Sequence, residues 1–342
     1  SLPNVTIPDS VQTIGNYAFR DCEKLTSVTF EGNVEGNAPQ LGNNAFQDYK
    51  IAGGYIVGQG VDLKGANLAG ANLAGANLAG ANLAGADLTN AELEGADLEG
   101  ADLEGANLEG ADLSSSILID ARLNAAYMKF AILTKANLKG AKLNEADLRG
   151  ADLTGANLTN AALNASYLTG ANLEEANLEK AQLNVSNLIG ANLTKANLKG
   201  AKLNEADLAG ANLEEANLEE AQLNASNLIE ANLTGANLTN AALNSAELNG
   251  SNLTGANLTN AALNGARLVG VDLKKANLNG VAINSSDLSH GDLTGANLID
   301  AQLNGADLKG ATLHGATLHG ADLTGANLEG ADLSSSILID AR

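Results

Sequence analysis

A short pattern of apolar and polar positions repeats along most of the chain with a period of five residues. From residue 61 onward a small residue, a polar residue and a leucine recur in every repeat, as at positions 66–68. All 56 central positions from Leu63 to Leu338 are leucine, except Met128 and Ile283. An α-helix would turn successive leucines by about 140°, and a straight strand would send them alternately to opposite faces. Neither element buries all of them on one side.

The pattern becomes consistent when each pentapeptide forms one edge of a coil. The small residue and the leucine, two positions apart, then point to the same side of a very short strand. The glycine that often stands two positions after the leucine, as at Gly65 and Gly70, suits the corner that follows. The frequent alanine beside each leucine indicates a narrow interior.

A slower rhythm, in which one residue type recurs at every fourth repeat, sets the number of edges in one coil. Asparagine follows the central residue in one such series, and it precedes the central residue in a second series. Stacked amide side chains can hydrogen-bond along a ladder, so we expect both series to be structural ladders. The first series is Asn124, Asn144, Asn164, Asn184, Asn204, Asn224, Asn244, Asn264, Asn284 and Asn304. The second is Asn137, Asn157, Asn177, Asn197, Asn217, Asn237, Asn257, Asn277 and Asn297.

Charged residues follow the same spacing with alternating sign. Glu175, Lys195 and Glu215 form one such series, which is favourable only if residues four repeats apart are neighbours. Four pentapeptides therefore make one coil. The sequence predicts an all-β solenoid of about 14 coils, on the order of 70 Å long at about 4.8 Å per stacked strand.

This unit, Ala-(Asn/Asp)-Leu-x-x throughout positions 61–342, resembles the pentapeptide-repeat family. The resemblance implies a right-handed quadrilateral β-helix. It also implies one candidate function, because some acidic members of that family resemble B-DNA in width and charge and bind DNA gyrase. This chain has no break of phase that would insert a loop, unlike many of the gyrase-protecting members.

The segment at positions 1–50 follows a different pattern. Segments 5–8, 14–19, 28–30 and 41–46, which include Val-Thr-Ile-Pro and two Gly-Asn pairs followed by Ala-Phe, resemble BspA-type leucine-rich repeats. Such repeats are common in large surface proteins, so the resemblance implies an exposed, extracellular or cell-surface location. We predict a leucine-rich segment of about two repeats at 1–50 that caps the β-helix, a transition at 51–60 and the β-helix at 61–342.

The composition disfavours several classes of partner. A formal net charge of −21 repels nucleic-acid phosphates and anionic membrane surfaces. No apolar run approaches the length of about 20 residues needed to span a bilayer. The single cysteine, Cys22, cannot form an internal disulfide, and no Cys or His pair has the spacing of a metal site. We therefore expect no cofactor, no small-molecule substrate, no direct nucleic-acid binding and no membrane span.

Acidic residues are concentrated in one part of the chain. Residues 65–121 carry ten acidic side chains and no basic one. Two interpretations remain: an interaction face for a basic partner or Ca²⁺, and a solubilising surface. The second is favoured because the acidic positions are spread over several edges of the coil. The candidate residues of the acidic face are Glu92, Glu94, Asp97, Glu99, Asp102 and Glu104.

One long-range duplication bears on assembly. Residues 105–122 are identical to residues 325–342, which lie a whole number of coils further along the chain. An uncovered coil end exposes backbone groups and apolar side chains, so end-to-end stacking is one expectation. The leading hypothesis is a non-enzymatic structural rod, spacer or protein-interaction scaffold within a larger surface protein. The alternative is an acidic DNA mimic that binds a topoisomerase such as DNA gyrase.

Overall fold

The computed structural model of the protein describes residues 4–7, 13–14, 27–30, 40–41, 50–52 and 55–342. The chain divides into two compact units, Ser1–Asn157 and Leu158–Arg342. The strands that precede residue 58 all belong to the first unit. They are β1 (Asn4–Ile7), β2 (Thr13–Ile14), β3 (Ser27–Phe30), β4 (Gln40–Leu41), β5 (Lys50–Ala52) and β6 (Tyr55–Val57).

These strands form two small sheets with a repeat-like register. Strand β1 pairs in parallel with β3, with Asn4 opposite Ser27, and β2 pairs in parallel with β4. The offset between the paired positions of β1 and β3 falls within the usual length of a leucine-rich repeat. Strand β6 runs antiparallel to both β3 and β5, so the segment predicted as a transition contains β6 and part of β5. Cys22 lies outside the described residues.

From residue 58 onward the chain winds into coils of four pentapeptides. In the first unit the residue before each central leucine forms a parallel β-bridge with its equivalent four repeats later, as Asn67 does with Asp87. The second unit repeats this pairing, as Gln182 does with Lys202. The predicted coil of four repeats is confirmed. We number its faces 1 to 4 after the repeats centred on Leu63, Leu68, Leu73 and Leu78.

Backbone hydrogen bonds join each coil to the next. The N–H of Leu68 donates to the carbonyl of Asp87 at 2.7 Å, and the N–H of Asp87 donates back to Ala66 at 2.9 Å. A third bond runs from Gly70 N–H to the carbonyl of Thr89 at 2.8 Å. Most backbone donors and acceptors of each pentapeptide therefore bond to the two neighbouring coils. Buried peptide groups need such partners.

The interior of each unit is a column of buried small and large side chains. Leu68 and Ala81 are fully buried, and so are the two exceptions to the leucine rule, Met128 and Ile283, to within 1% exposure. Where serine replaces the inward alanine its hydroxyl donates to a backbone carbonyl, usually that of the preceding leucine and for Ser286 that of Leu263. Ser116 Oγ, for example, donates to the carbonyl three residues earlier at 2.7 Å. The polar group is therefore satisfied without widening the core.

Each corner is a tight turn whose last central residue lies in the left-handed region. The N–H of Ala71 donates to the carbonyl of Leu68 at 3.0 Å, and Gly70 between them has φ of 64°. Glycine is not required at this corner position, because Lys195 has φ of 56° and Val185 has φ of 60°. A β-branched residue is strained there, since its Cβ crowds the backbone.

The strain at Val185 predicts a stabilising substitution. Val185→Gly removes a left-handed valine, which costs about 1–2 kcal/mol, and adds the entropy cost of glycine, about 0.5–1 kcal/mol. We expect the second unit to become more stable by roughly 1 kcal/mol. Chemical denaturation followed by far-ultraviolet circular dichroism measures this change. Gly170→Val should shift the midpoint in the opposite direction; an unchanged or lower stability of Val185→Gly would contradict the argument.

Candidate interaction surfaces

The amide of the residue after each central leucine points away from the coil-to-coil bonds and needs its own acceptor. On most repeats the asparagine or aspartate before the leucine supplies it. Asn67 Oδ1 accepts from Ala69 N–H at 3.2 Å, and Asp87 Oδ1 accepts from Thr89 N–H at 3.1 Å. This local turn explains why Asn or Asp recurs at the pre-leucine position.

The asparagine ladder on face 1 serves the same amide from a different direction. In the first unit Asn124 Oδ1 accepts from both the backbone N–H and the side-chain Nδ2 of Asn144, at 3.2 and 3.1 Å. In the second unit each ladder asparagine does the same for the next one. The pairs are Asn164 to Asn184, Asn184 to Asn204, Asn204 to Asn224, Asn224 to Asn244, Asn244 to Asn264 and Asn264 to Asn284. At the end of the ladder Asn284 Oδ1 accepts from the backbone N–H of Asn304, whose side-chain Nδ2 donates to Asp322.

The two ways of capping the amide replace one another along face 1. Where the ladder runs, the pre-leucine residues are Arg, Lys, Ala or Gln, none of which can form the local turn. Before the ladder Asp102 caps Glu104, and after it Asp322 caps Thr324. The rule also holds once on face 2, where Asn249 Oδ1 accepts from Val269 N–H at 3.0 Å. The sequence predicted the ladder but did not reveal that the ladder and the local turn are alternative acceptors for the same backbone amide.

This replacement rule predicts a rescue. Asn204→Ala removes the acceptor of Asn224 N–H and Nδ2 and leaves those donors unpaired, which should cost about 1–3 kcal/mol. Gln222→Asn, in the same repeat as Asn224, should restore a local acceptor for the backbone amide and recover part of the loss. A double-mutant cycle by chemical denaturation gives the coupling energy. Additive effects of the two substitutions would contradict the rule.

The second ladder lies on face 4 at the pre-leucine position. In the first unit Asn157 Nδ2 donates to Asn137 Oδ1 at 3.1 Å. In the second unit the same bond recurs from Asn197 to Asn177, Asn217 to Asn197, Asn237 to Asn217, Asn257 to Asn237, Asn277 to Asn257 and Asn297 to Asn277. These asparagines also form the local turn, as Asn197 does with Lys199 N–H.

Opposite charges that lie one coil apart form ion pairs in the second unit. Lys199 Nζ lies 3.0 Å from Glu219, and Lys195 Nζ lies 3.8 Å from Glu215. The hydrogen bond that Lys199 Nζ donates to Glu219 raises the pKa of Lys199. Lys195 and Glu215 are exposed and Lys199 and Glu219 are half-buried, so water and salt screen both pairs and each adds little to stability.

The structure does not gather the candidate acidic face into one site. Glu92 and Glu94 lie on face 3, Asp97 and Glu99 on face 4, and Asp102 and Glu104 on face 1. They follow the chain around one turn instead of converging.

Several of these carboxylates already have partners. Arg122 contacts both Asp102, at 3.1 Å, and Glu104, at 2.5 Å, while Glu92 accepts a bond from Asn72 Nδ2 at 2.6 Å. No group of three metal-ligating side chains occurs within the described residues. The structure thus offers no Ca²⁺ cage there, and an acidic interaction face remains a hypothesis.

One open groove of about 380 Å³ lies on face 2 of the first unit. Tyr127, which is 57% exposed, forms a wall, and the side-chain and backbone hydrogen bonds from Thr89 lower the pKa of Asp87. This lowered pKa keeps Asp87 ionised beside solvent, and no nucleophile with an adjacent base lines the groove. Its lining residues are Gly85, Ala86, Asp87, Gly105, Asn107, Glu109 and Tyr127.

Across the part of the chain that the structure describes, no helix is long and apolar enough to cross a bilayer.

Comparison with protein families gives two matches. The family described as pentapeptide repeats matches most of the chain, and the BspA type leucine rich repeat region matches residues 1–56. No match was found among the curated proteins. The pentapeptide matches cover residues 59–95, 91–129, 131–170, 166–204, 201–240, 216–255, 236–275, 251–289, 276–315 and 312–342.

Solved structures of three related proteins are similar to parts of the chain. HetL from the cyanobacterium Nostoc, involved in heterocyst differentiation regulation, is 32% identical over 71% of this chain and 89% of its own, with a TM-score of 0.21. A protein from the Arabidopsis thaliana thylakoid lumen is 32% identical over 34% of this chain and 68% of its own, with a TM-score of 0.17. QnrB1, a plasmid-mediated fluoroquinolone resistance protein, is 17% identical over 48% of this chain and 87% of its own, with a TM-score of 0.36.

Proposed function

This chain belongs to the pentapeptide repeat family, whose fold is the right-handed quadrilateral β-helix, and we propose that it is a non-enzymatic structural rod or spacer that scaffolds protein contacts. Members of this family are generally structural or interaction proteins. The observation that carries the proposal is the unbroken coil-to-coil bonding within each unit. Repeats between the terminal coils of each unit form the same three backbone bonds, so their outward side chains have a fixed spacing.

The leucine-rich segment supports a place within a larger surface or extracellular protein. Its match over residues 1–56 is of the BspA type, and the parallel pairing of β1 with β3 supports such repeats. Immunolabelling of intact cells tests this location. Signal only after permeabilisation would contradict it.

End-to-end stacking is part of the proposal. Within each unit every coil is joined to the next by parallel backbone bonds, such as that from Leu68 N–H to the carbonyl of Asp87. Bonds of the same kind can join the coil ends of two copies. We expect concentration-dependent linear oligomers in light scattering, and a monodisperse monomer at high concentration would contradict this expectation.

A second candidate is an acidic mimic of DNA that binds a topoisomerase. Its support is the segment 65–121, which contains ten acidic residues and no basic residue. A gyrase supercoiling assay separates the candidates. The spacer proposal expects neither inhibition nor protection from fluoroquinolones at any protein concentration, whereas a dose-dependent effect would replace it with the DNA-mimic proposal.

A further inference from the structure

Two isoleucines interrupt the polar surface of face 4 in the first unit. Ile117 stands at the pre-leucine position. An Asn or Asp there normally accepts a hydrogen bond from the N–H two residues later, which here is that of Ile119. Ile117 is 38% exposed and Ile119 is half-buried. An exposed apolar residue that also gives up a local hydrogen bond has no structural benefit. Departures from such a local rule are expected where a surface has a task.

The residues stacked on either side of the isoleucines carry opposite charges. One coil earlier on the same face lie Asp97 and Glu99, and Ile117 forms the β-bridge to Asp97. One coil later lie Asn137 and Lys139, and Ile117 forms the bridge to Asn137. The column after the leucines therefore runs Glu99, Ile119, Lys139. Glu99 and Lys139 are exposed and make no ion pair within residues 58–342.

This arrangement is self-complementary under a two-fold axis. When a second copy lies antiparallel against face 4, with the axis at Ile119, the order Glu, Ile, Lys meets the order Lys, Ile, Glu. We propose that face 4 around Ile117 and Ile119 is a side-to-side docking surface for a second copy of this chain. An isologous contact of this kind pairs each residue twice. The contact is lateral and goes beyond the end-to-end stacking proposed above.

The polar column of the same face fits the same axis. Asp97 Oδ1 accepts from Glu99 N–H at 3.1 Å, and Oδ2 is a further acceptor of the same carboxylate. Asn137 Oδ1 accepts from Asn157 Nδ2, whereas Ile117 stands where an asparagine would accept from the Nδ2 of Asn137. In the antiparallel pair Asp97 of one copy lies opposite Asn137 of the other. A carboxylate acceptor therefore meets an amide donor.

The contact is small, so the expected dimer is weak. Three coils at about 4.8 Å each span only about 15 Å, less than is needed to bury the roughly 800 Å² per partner of stable complexes. In the proposed dimer Asp120, at the corner beside Ile119, lies opposite Asp120 of the second copy at the solvent-exposed rim. Salt screens the repulsion between these two carboxylates. We expect weak association that is detected at high protein concentration.

Charge reversal tests the pairing on the full chain. Lys139→Glu and Glu99→Lys each place like charges together twice, and each should weaken dimerisation about tenfold in sedimentation equilibrium at low salt. The double variant restores both pairs in swapped form and should return to the wild-type value. Lys142→Glu, on face 1, has the same net charge as Lys139→Glu and should leave the dimer unchanged.

A cysteine on the axis tests the symmetry. In a Cys22→Ser background, Ile119→Cys should form a disulfide-linked dimer under mild oxidation at least tenfold faster than Thr134→Cys, which has the same position in a repeat on face 3. Equal rates would overturn the proposal. So would an association that ignores both charge reversals, which would instead assign self-association to the coil ends. A chain that stays monomeric at low salt and high concentration would also overturn it.

Discussion

Leu203→Asp is expected to unfold part of the second unit. The side chain of Leu203 is fully buried, and Leu183 and Leu223 are its equivalents in the two neighbouring coils. No cationic side chain is buried in the described interior, so a carboxylate there would have no ion-pair partner. Burying an unpaired charge costs several kcal/mol even after relaxation, so the coil should open and expose the aspartate to water.

The damage should remain local, because a coil in a solenoid contacts only its two neighbours. Hydrogen exchange by mass spectrometry should show lost protection around residues 183–223 and retained protection near residue 283. Lys202→Asp changes the adjacent, exposed residue and should keep the wild-type exchange pattern. Uniform loss of protection throughout residues 158–342 would contradict the nearest-neighbour picture.

Deletions in the second unit should be tolerated according to their length. Removing residues 201–220 takes out one whole coil and joins Gly200 to Ala221, so every remaining face keeps its register and Asn184 meets Asn224. We expect a folded protein with slightly reduced stability, since one coil and one interface are lost.

Shorter deletions break progressively more of the pattern. Removing residues 201–205 keeps the five-residue phase but rotates all later repeats by one face, which leaves Asn224 N–H without its ladder acceptor and should cost about 1–3 kcal/mol more. Removing residues 202–204 destroys the phase and should abolish cooperative unfolding of the second unit. Thermal unfolding monitored by circular dichroism ranks the three. A ranking in which the deletion of a whole coil is the most damaging would contradict the coil assignment.

The sequence predicted the coil almost completely because its signals are periodic. The central leucines must all point to one buried side, and asparagines that recur at every fourth repeat indicate four edges in each coil. The bridge from Asn67 to Asp87 joins positions with that spacing. The sequence did not reveal that corners tolerate Val185 in a left-handed conformation. Stacking on both sides imposes that conformation, and no local propensity reports it.

The candidate surfaces were predicted less well, for a physical reason. The ladders could be identified because identical side chains repeat, although the amide that Asn124 caps belongs to a different coil and a different repeat. The acidic residues lie on several edges, as their spacing in the sequence predicted. The significance of Ile117 could not be recognised, because a single exposed isoleucine has meaning only beside the residues that the coil stacks above and below it.

The replacement of one amide cap by another also constrains how such a chain can evolve. To change a repeat of face 1 from the ladder to the local turn, two residues in neighbouring coils, such as Asn204 and Gln222, must both change. If the ladder asparagine is lost first, the intermediate sequence carries an uncapped amide and is less fit. The reverse order leaves no amide uncapped and loses only the 3.4 Å bond from Asn204 Nδ2 to Gln222 Oε1, so drift passes more easily when the downstream site changes first. Epistasis of this kind preserves long uninterrupted ladders and leaves the freed pre-leucine column open to variation.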